Sequence, residues 1–561
     1  MSEMSINTMA TAATQERRSA RPSPARFADS ELLPSHWQSP LLLCFLLLGL
    51  AARCVRYFLR FPLWEDECFL CVNLGERGYL DLLRPLAYHQ VAPPLFLWIE
   101  LSFVKVLGFT ELSLRLFPFL CSIASLFLFR RLAGRLLRGW PLVLAVATFA
   151  VAYPCLRYAA EAKQYASDQF ASLVLLMLVV EWWRRTAEWR LLAALTAFLP
   201  IAVCLSYPAV FVAGGVSLVM GAVLWTSRAG SWRWWAAYNA VLVGSFGLVL
   251  LGAAGGQSAA ELGFMTGYWQ SAFPPLSNPS ALPAWFLLTH TGDLLAYPVG
   301  GGNGASALTF LACATGLAVL AWRRRWLLLF LVLAPFALHL AAAALHRYPY
   351  GGHFKFAQHL APLICLLAGL GTAAFVSRLS RRPRVGRAFL VACLLFPLLV
   401  GAGSIVRDLA HPYKTLSDER ARAFAQWFWF CAEHEGEAVC LHTDLKQDFD
   451  SKAFQELSWS AMYVCNQRIY SPRHAAGSAP RLDQVTADRP LRCLLYRDPL
   501  HPCNEEKLGR WLANMQNDYQ LVSRELYALP RYDKRERTLV TVDHLEIFRF
   551  VPKADLHAKS G

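Results

Sequence analysis

Three adjacent carboxylates, Glu65-Asp66-Glu67, follow Trp64 in this chain of 561 residues. Like charges held side by side shift one another's affinity for protons or share a cation. A carboxylate so placed can act as a general base. A solvated acidic loop is the plain alternative. Three further polar segments interrupt apolar sequence. Tyr88-His89-Gln90 runs into Pro93-Pro94, which block a helix before them and start one after them. That fixes the chain around His89 and Gln90. Arg157 to Asp168 carries Glu161, Lys163 and Tyr165. Read as helix, Glu161, Tyr165 and Asp168 share a stripe and Lys163 lies off it. His346 to Lys355 sets Arg347, His353 and Lys355 around Pro349 and the Gly351-Gly352 pair. Those are cations where an anionic lipid headgroup would sit. Structural ion pairs and snorkelling basic side chains are the alternatives for these two segments.

The elements that must position these residues are long and apolar. The chain is 56% hydrophobic and 17% charged, low in charge for a soluble protein. A span needs about 20 apolar residues, and that length predicts about eleven spans. They lie near 39–60, 113–130, 140–157, 166–183, 191–207, 208–226, 234–255, 304–321, 326–345, 356–376 and 388–406. The connections alternate in kind. One set is rich in arginine, as at Arg130, Arg131, Arg135 and Arg138, at Arg323 to Arg325, and at Arg378 to Arg387. Arginine clusters mark the cytoplasmic side. All four polar segments then fall on the other side, which is how a membrane enzyme would gather one site. Pro93 to Phe109 contains Glu100 and Lys105. Charges at the bilayer centre cost about 2.5–3.5 kcal/mol each on insertion scales. The region 61–112 is therefore expected to form amphipathic helices at the outer interface rather than a span.

Residues 1–38 read as a disordered cytoplasmic tail, with Arg17, Arg18, Arg21 and Arg26 before the first span. An organelle transit peptide is the rival reading. Residues 39–406 form the multi-span domain. From 407 to 561 charge and turn residues rise, and short strand-like runs (437–441, 491–496, 538–550) alternate with helical ones. A small extracytoplasmic α+β domain is expected there. Fifteen cysteines lie mostly in apolar spans, where a thiol is a small hydrophobe. Cys68-Phe69-Leu70-Cys71 is a lone CxxC without a second pair to make a zinc or redox site. Net charge is +15, but the basic residues lie between spans and form no nucleic-acid-binding motif.

These residues resemble a known superfamily. Trp64-Glu65-Asp66-Glu67, Gln90-Val91-Ala92-Pro93-Pro94-Leu95-Phe96-Leu97, Arg115-Leu116-Phe117-Pro118 and Glu161-Ala162-Lys163-Gln164-Tyr165 look like the motifs of GT-C glycosyltransferases. The branch is that of protein O-mannosyltransferases and the bacterial aminoarabinose and Rgt-type sugar transferases. Tyr348-Pro349-Tyr350-Gly351-Gly352 followed by a cation is similar to the later part of the pattern. Many relatives carry arginine after the two glycines; here His353 stands there, and Lys355 is the nearby cation. The resemblance covers roughly residues 40–400. It implies a polyprenyl-phosphate sugar donor, a lipid, glycan or protein acceptor on the outer face, and inversion at the anomeric carbon. It places the base at Asp66. Glu67 and Glu161 would orient the site or hold a divalent metal, which some relatives bind and others do not. Lys163 and Lys355 would meet the phosphate, and Tyr165 and His89 would orient donor or acceptor. The implied setting is a bacterial inner (plasma) membrane, with the site outside.

A multi-span transporter or lipid flippase would also carry charges among spans, but near the midplane and often within inverted repeats. No such repeat is visible here. A membrane scaffold with a binding tail is a third class; turnover of a lipid-phosphate sugar separates an enzyme from both. The arginine alternation predicts that reporter fusions after Arg325 and after Lys414 report opposite sides of the membrane. The same side for both overturns the topology.

Overall fold

The computed structural model describes residues 33–553, except 187, 228–231, 253–262, 264–265, 431–437, 443–450, 471–488, 498–504 and 534–537. Nearly all of the expected disordered tail lies outside the described residues. In a bilayer each backbone polar group must bond within its own segment, so apolar runs of span length become helices. After α1 (Gln38–Phe58) come two shorter helices, α2 (Glu65–Glu76) and α3 (Pro94–Leu107). The bundle continues with α4 (Leu116–Leu136), α5 (Trp140–Val151), the short α6 (Tyr153–Arg157), α7 (Tyr165–Arg184), α8 (Trp189–Leu205), α9 (Ala209–Ser227) and α10 (Trp232–Leu251). It closes with α11 (Leu282–Thr289), α12 (Ala305–Trp322), α13 (Trp326–Ala344), α14 (Ala361–Leu379) and α15 (Pro383–Ala410). Among the described residues nine helices are long and apolar enough to cross a membrane, and the bent pair of α5 and α6 makes a tenth. The remaining expected run is α8, apolar and 17 residues long. All of the expected runs are therefore helical.

Two breaks matter for function. Ala152 leaves the helical region (φ −57°, ψ 116°) ahead of Pro154, and the chain bends by 42° between α5 and α6. That bend hands Arg157 and Glu161 to the end of the bundle. The loop 61–112 holds α2 and α3 as expected. Glu100 of α3 is fully buried against protein, and burial, helped by the nearby charge of Glu67, raises its carboxyl well above the usual range.

Small residues let the spans approach closely. A Cβ at Gly369 would overlap the backbone of Ala145 on α5, and one at Gly371 would overlap the carbonyl of Ala312 on α12. Arg56 of α1 donates two hydrogen bonds to Asp408 of α15, at 2.9 and 2.8 Å, both side chains being buried. The first and last spans are joined by this pair.

The C-terminal region contains α16 (Leu416–Phe430), β1 (Ala438–His442), α17 (Ser451–Tyr470), β2 (Leu491–Arg497), α18 (Glu505–Asp518), β3 (Tyr519–Asp533) and β4 (Thr538–Pro552). The strands form one sheet in the order β1-β2-β4-β3, with β1 parallel to β2 and the other pairs antiparallel. Three of these strands match the expected runs. The long β3 is an addition, since its sequence lacks a regular alternation and its antiparallel pairing with β4 defines it. This unit rests on the loop 61–112. Tyr470 donates to Glu111 at 2.5 Å, Arg422 donates to the carbonyl of Arg60 at 2.6 Å, and Cys465 lies 3.6 Å from the carbonyl of Cys68. Arg468 packs where a side chain on Gly75 would stand.

Gly371→Val is expected to push α14 away from α12 and lower the thermal midpoint by several degrees in detergent, a core overpacking of about 1–3 kcal/mol. An unchanged midpoint would show that the two helices do not pack as described.

Candidate active site

The three carboxylates after Trp64 open α2, where the helix dipole favours acidic side chains. Their repulsion is resolved by sending Asp66 and Glu67 to different cations. Glu67 is buried and accepts from Arg115 through both oxygens, at 2.7 and 2.5 Å. It also accepts from the backbone N–H of Ala162 at 2.7 Å and of Trp64 at 3.3 Å. Arg115 in turn donates to the carbonyls of Phe61 and Pro62. Glu67 therefore ties together the start of α2, the start of α4 and the turn before α7.

Asp66 faces the other way, between two lysines. Lys163 Nζ donates to its Oδ1 at 3.0 Å, and Lys355 Nζ lies 3.7 Å from Oδ2. Burial alone would raise this carboxyl, but the charges of Lys163, Lys355 and Lys414 hold it well below the usual carboxylate range. Lys163 also donates to Gln90 Oε1 at 2.5 Å. Gln90 is fixed by two preceding residues, Tyr88 (φ 59°) and His89 (φ 50°), in the left-handed region. That costly backbone is supported by Asn73, which accepts from Ala87 N–H at 2.8 Å and donates to Phe69 O at 3.0 Å.

The segment 161–164 is not helical, so the stripe of Glu161, Tyr165 and Asp168 that a helix would give does not form. Glu161 is extended (φ −127°, ψ 132°), and Lys163 N–H donates to Glu161 O at 2.7 Å. A tight turn thus aims Glu161 and Lys163 into the same site, and α7 begins only at Tyr165. Tyr165 is buried against Tyr158, with ring centroids 4.6 Å apart. Glu161 meets Arg157 at 3.4 Å and Lys414 at 3.8 Å. Both Arg157 and Lys414 also lie against the ring of Trp64.

Lys355 is delivered by the glycine pair. Gly352 adopts φ 73°, and a side chain on Gly351 would collide with Thr289. His353 is not the cation expected there. Burial first, then the charges of Arg157, Lys355 and Lys414, push its imidazole down to about 3, so it is neutral. Its Nδ1 accepts from Lys355 N–H at 3.1 Å, which positions that lysine. Arg347 is exposed, and its guanidinium takes no part in this cluster. Sequence reasoning gave no role to Arg157, Arg115 or Lys414. Arg157 has a visible signal, its spacing of four from Glu161. Lys414 has none, since it follows the last span.

The residues present do not suit a metal. Glu67 is already occupied by Arg115 and two backbone amides, and Glu161 sits between two cations. Among the described residues no group of three or more His, Cys, Asp or Glu is arranged to hold an ion.

No family model and no curated protein matches the chain. Solved structures are similar to it at a distance. One is ArnT from Cupriavidus metallidurans bound to undecaprenyl phosphate, at TM-score 0.47 and 12% identity, covering 91% of this chain and 98% of that one. The same protein in the apo state gives 0.45 and 13% over the same shares. The Archaeoglobus fulgidus oligosaccharyltransferase in complex with zinc and sulfate gives 0.41 and 13%, covering 90% of this chain and 72% of that one. At such values these are distant likenesses.

A histidine held below its ordinary value adds stability above about pH 6.5, and that stability is lost as pH falls toward about 3. Asp418, pushed up to about 7 by burial against the pull of Thr415 and Lys414, acts in the opposite direction between about pH 4 and 7. Comparison with His353→Asn isolates the histidine. The wild type is expected to lose more thermal stability than this variant between pH 6.5 and 4.5; parallel losses would mean that His353 is protonated in the folded protein.

Proposed function

We propose that this chain is a membrane glycosyltransferase of the GT-C type. It moves a sugar from a polyprenyl-phosphate donor to a lipid, glycan or protein acceptor, with inversion, on the extracytoplasmic face of a bacterial inner membrane. The observation that carries this reading is a partly buried carboxylate, Asp66, set between Lys163 and Lys355 at the ends of apolar helices. A phosphate on a lipid tail must sit at that depth, because its chain stays in hydrocarbon and its head does not. The motif resemblance and the arginine alternation support the same reading.

In the absence of an anion the lysines neutralise Asp66 and keep it a weak base. A donor phosphate competes for the same two ammonium groups. Once they turn to it, Asp66 loses its compensation and its proton affinity rises. It then takes the proton of the acceptor hydroxyl or amine while that atom attacks the anomeric carbon. The bond from that carbon to the phosphate oxygen breaks, and polyprenyl phosphate leaves with an added negative charge. Lys163 and Lys355 stabilise that charge more in the transition state than in the ground state. Glu67 orients the site through Arg115 and the 161–164 turn rather than by touching substrate. Gln90 and His353 position the two lysines, while His89 and Tyr165 line the approach of donor or acceptor.

The test is consumption of a short-chain polyprenyl-phosphate sugar by membranes carrying the protein and its native acceptor. Asp66→Asn is expected to insert and fold yet lose a factor of ~10²–10⁴ in transfer. Lys163→Met and Lys355→Met should each lower kcat and donor affinity with little change in acceptor KM at saturating donor. Wild-type turnover in Asp66→Asn would remove it as the base, and wild-type donor KM in both lysine variants would place the phosphate elsewhere.

A further inference from the structure

The site contains a second arrangement of the same kind as the first. Asp66 lies between Lys163 and Lys355; Glu161 lies between Arg157, at 3.4 Å, and Lys414, at 3.8 Å. The donor reading uses only the first. These six side chains hold four cations against two carboxylates, so each carboxylate is shared by two cations. Buried charges without compensation are costly, and the cost falls when an anion enters. Glu161 is buried, and its Oε2 has no hydrogen-bond partner; neither does the ammonium of Lys414. Burial, against the pull of Glu161, holds Lys414 well below an ordinary lysine. Asp418 also acts on Lys414, but its own proton affinity is raised by burial, so it compensates only in part. His353 beside them is neutral, because burial and the neighbouring cations push its imidazole down to about 3.

We propose that Arg157 and Lys414, set about Glu161 and resting on Trp64, form a second anion subsite that takes a second phosphoryl group next to the one held at Asp66. This rests on the donor reading above and extends it. The guanidinium offers a planar pair of donors to phosphate oxygens and the ammonium a compact charge. Glu161 holds the two cations apart until the phosphoryl group arrives, as Asp66 does for its lysines. The second phosphoryl group has two sources. It belongs either to a donor carrying a diphosphate or to a phosphate on the acceptor.

Lys414 gives the subsite a second property. It lies between the end of α15 and the start of α16, next to Thr415. Thr415 N–H donates to Asp418 at 2.9 Å and Asp418 N–H to Thr415 Oγ1 at 3.3 Å, a reciprocal cap that fixes the start of α16. The C-terminal unit therefore sets where Lys414 stands.

Binding to the purified full-length protein in detergent tests this, with short-chain polyprenyl monophosphate and polyprenyl diphosphate as probes. If the donor carries both groups, the wild type binds the diphosphate on the order of tenfold tighter than the monophosphate, the gain of one charge-assisted contact. Lys414→Met and Lys414→Gln abolish that preference, and Lys414→Arg restores it. If the acceptor carries the second group, the wild type binds both lipids alike. Protein loaded with monophosphate then takes up inorganic phosphate, and Lys414→Met does not. The proposal is overturned if the lipids bind alike and no inorganic phosphate is taken up. It is equally overturned if any preference survives in both Lys414→Met and Lys414→Gln. Lys163→Met separates this idea from the donor reading. If it leaves monophosphate binding intact while Lys414→Met behaves as expected, the Asp66 assignment fails and the Glu161 subsite stands.

Discussion

The buried pair of Glu67 and Arg115 is the interaction on which the site depends. One carboxylate accepts from a guanidinium and two backbone amides, and that guanidinium donates onward to two carbonyls. Ion pairs out of water contribute little unless every donor and acceptor is used, and here nearly all are. The pair fixes three segments far apart in sequence. Asp66 precedes Glu67 by one residue, and Lys163 follows Ala162 by one. The carboxylate and its lysine therefore meet because their neighbours are already held.

Around that fixed point the protein gathers more positive than negative charge in a setting poor in water. This is an expensive arrangement for an empty site and a suitable one for a site that must accept anions. Side chains that look redundant have separate tasks. Glu67 organises, Asp66 and Glu161 hold cations in place, and His353, kept neutral, accepts from the backbone of Lys355 rather than adding charge.

Much of the architecture was legible because lipid imposes a simple code. Uninterrupted apolar length gives helices. Pro93-Pro94 and Gly351-Gly352 marked the places where the chain stops, turns and presents polar groups. Other features were not legible. The sequence left the shape of 158–165 open, and there a turn at Glu161 to Gln164, not a helical stripe, aims Glu161 and Lys163. His353 read as a cation because its sequence neighbours reveal neither its burial nor the charges of Arg157 and Lys414. Lys414 was invisible as a site residue, since only the seating of the C-terminal unit on the loop 61–112 brings it back to Trp64. Strand β3 was missed because its partner β4, not its own alternation, defines it.

The order in which the site's parts leave the ribosome follows from this layout. Asp66, Glu67 and Arg115 emerge early, and the turn at Glu161 soon after. Lys355 comes only with α14, and Lys414 after every span has been made. A partly synthesised chain can hold the carboxylates but not the full set of cations. Long-range contacts of this kind form late in folding. An unfinished or truncated copy therefore lacks part of the positive charge that the proposed anion site requires, and the set is complete only once Lys414 has been made.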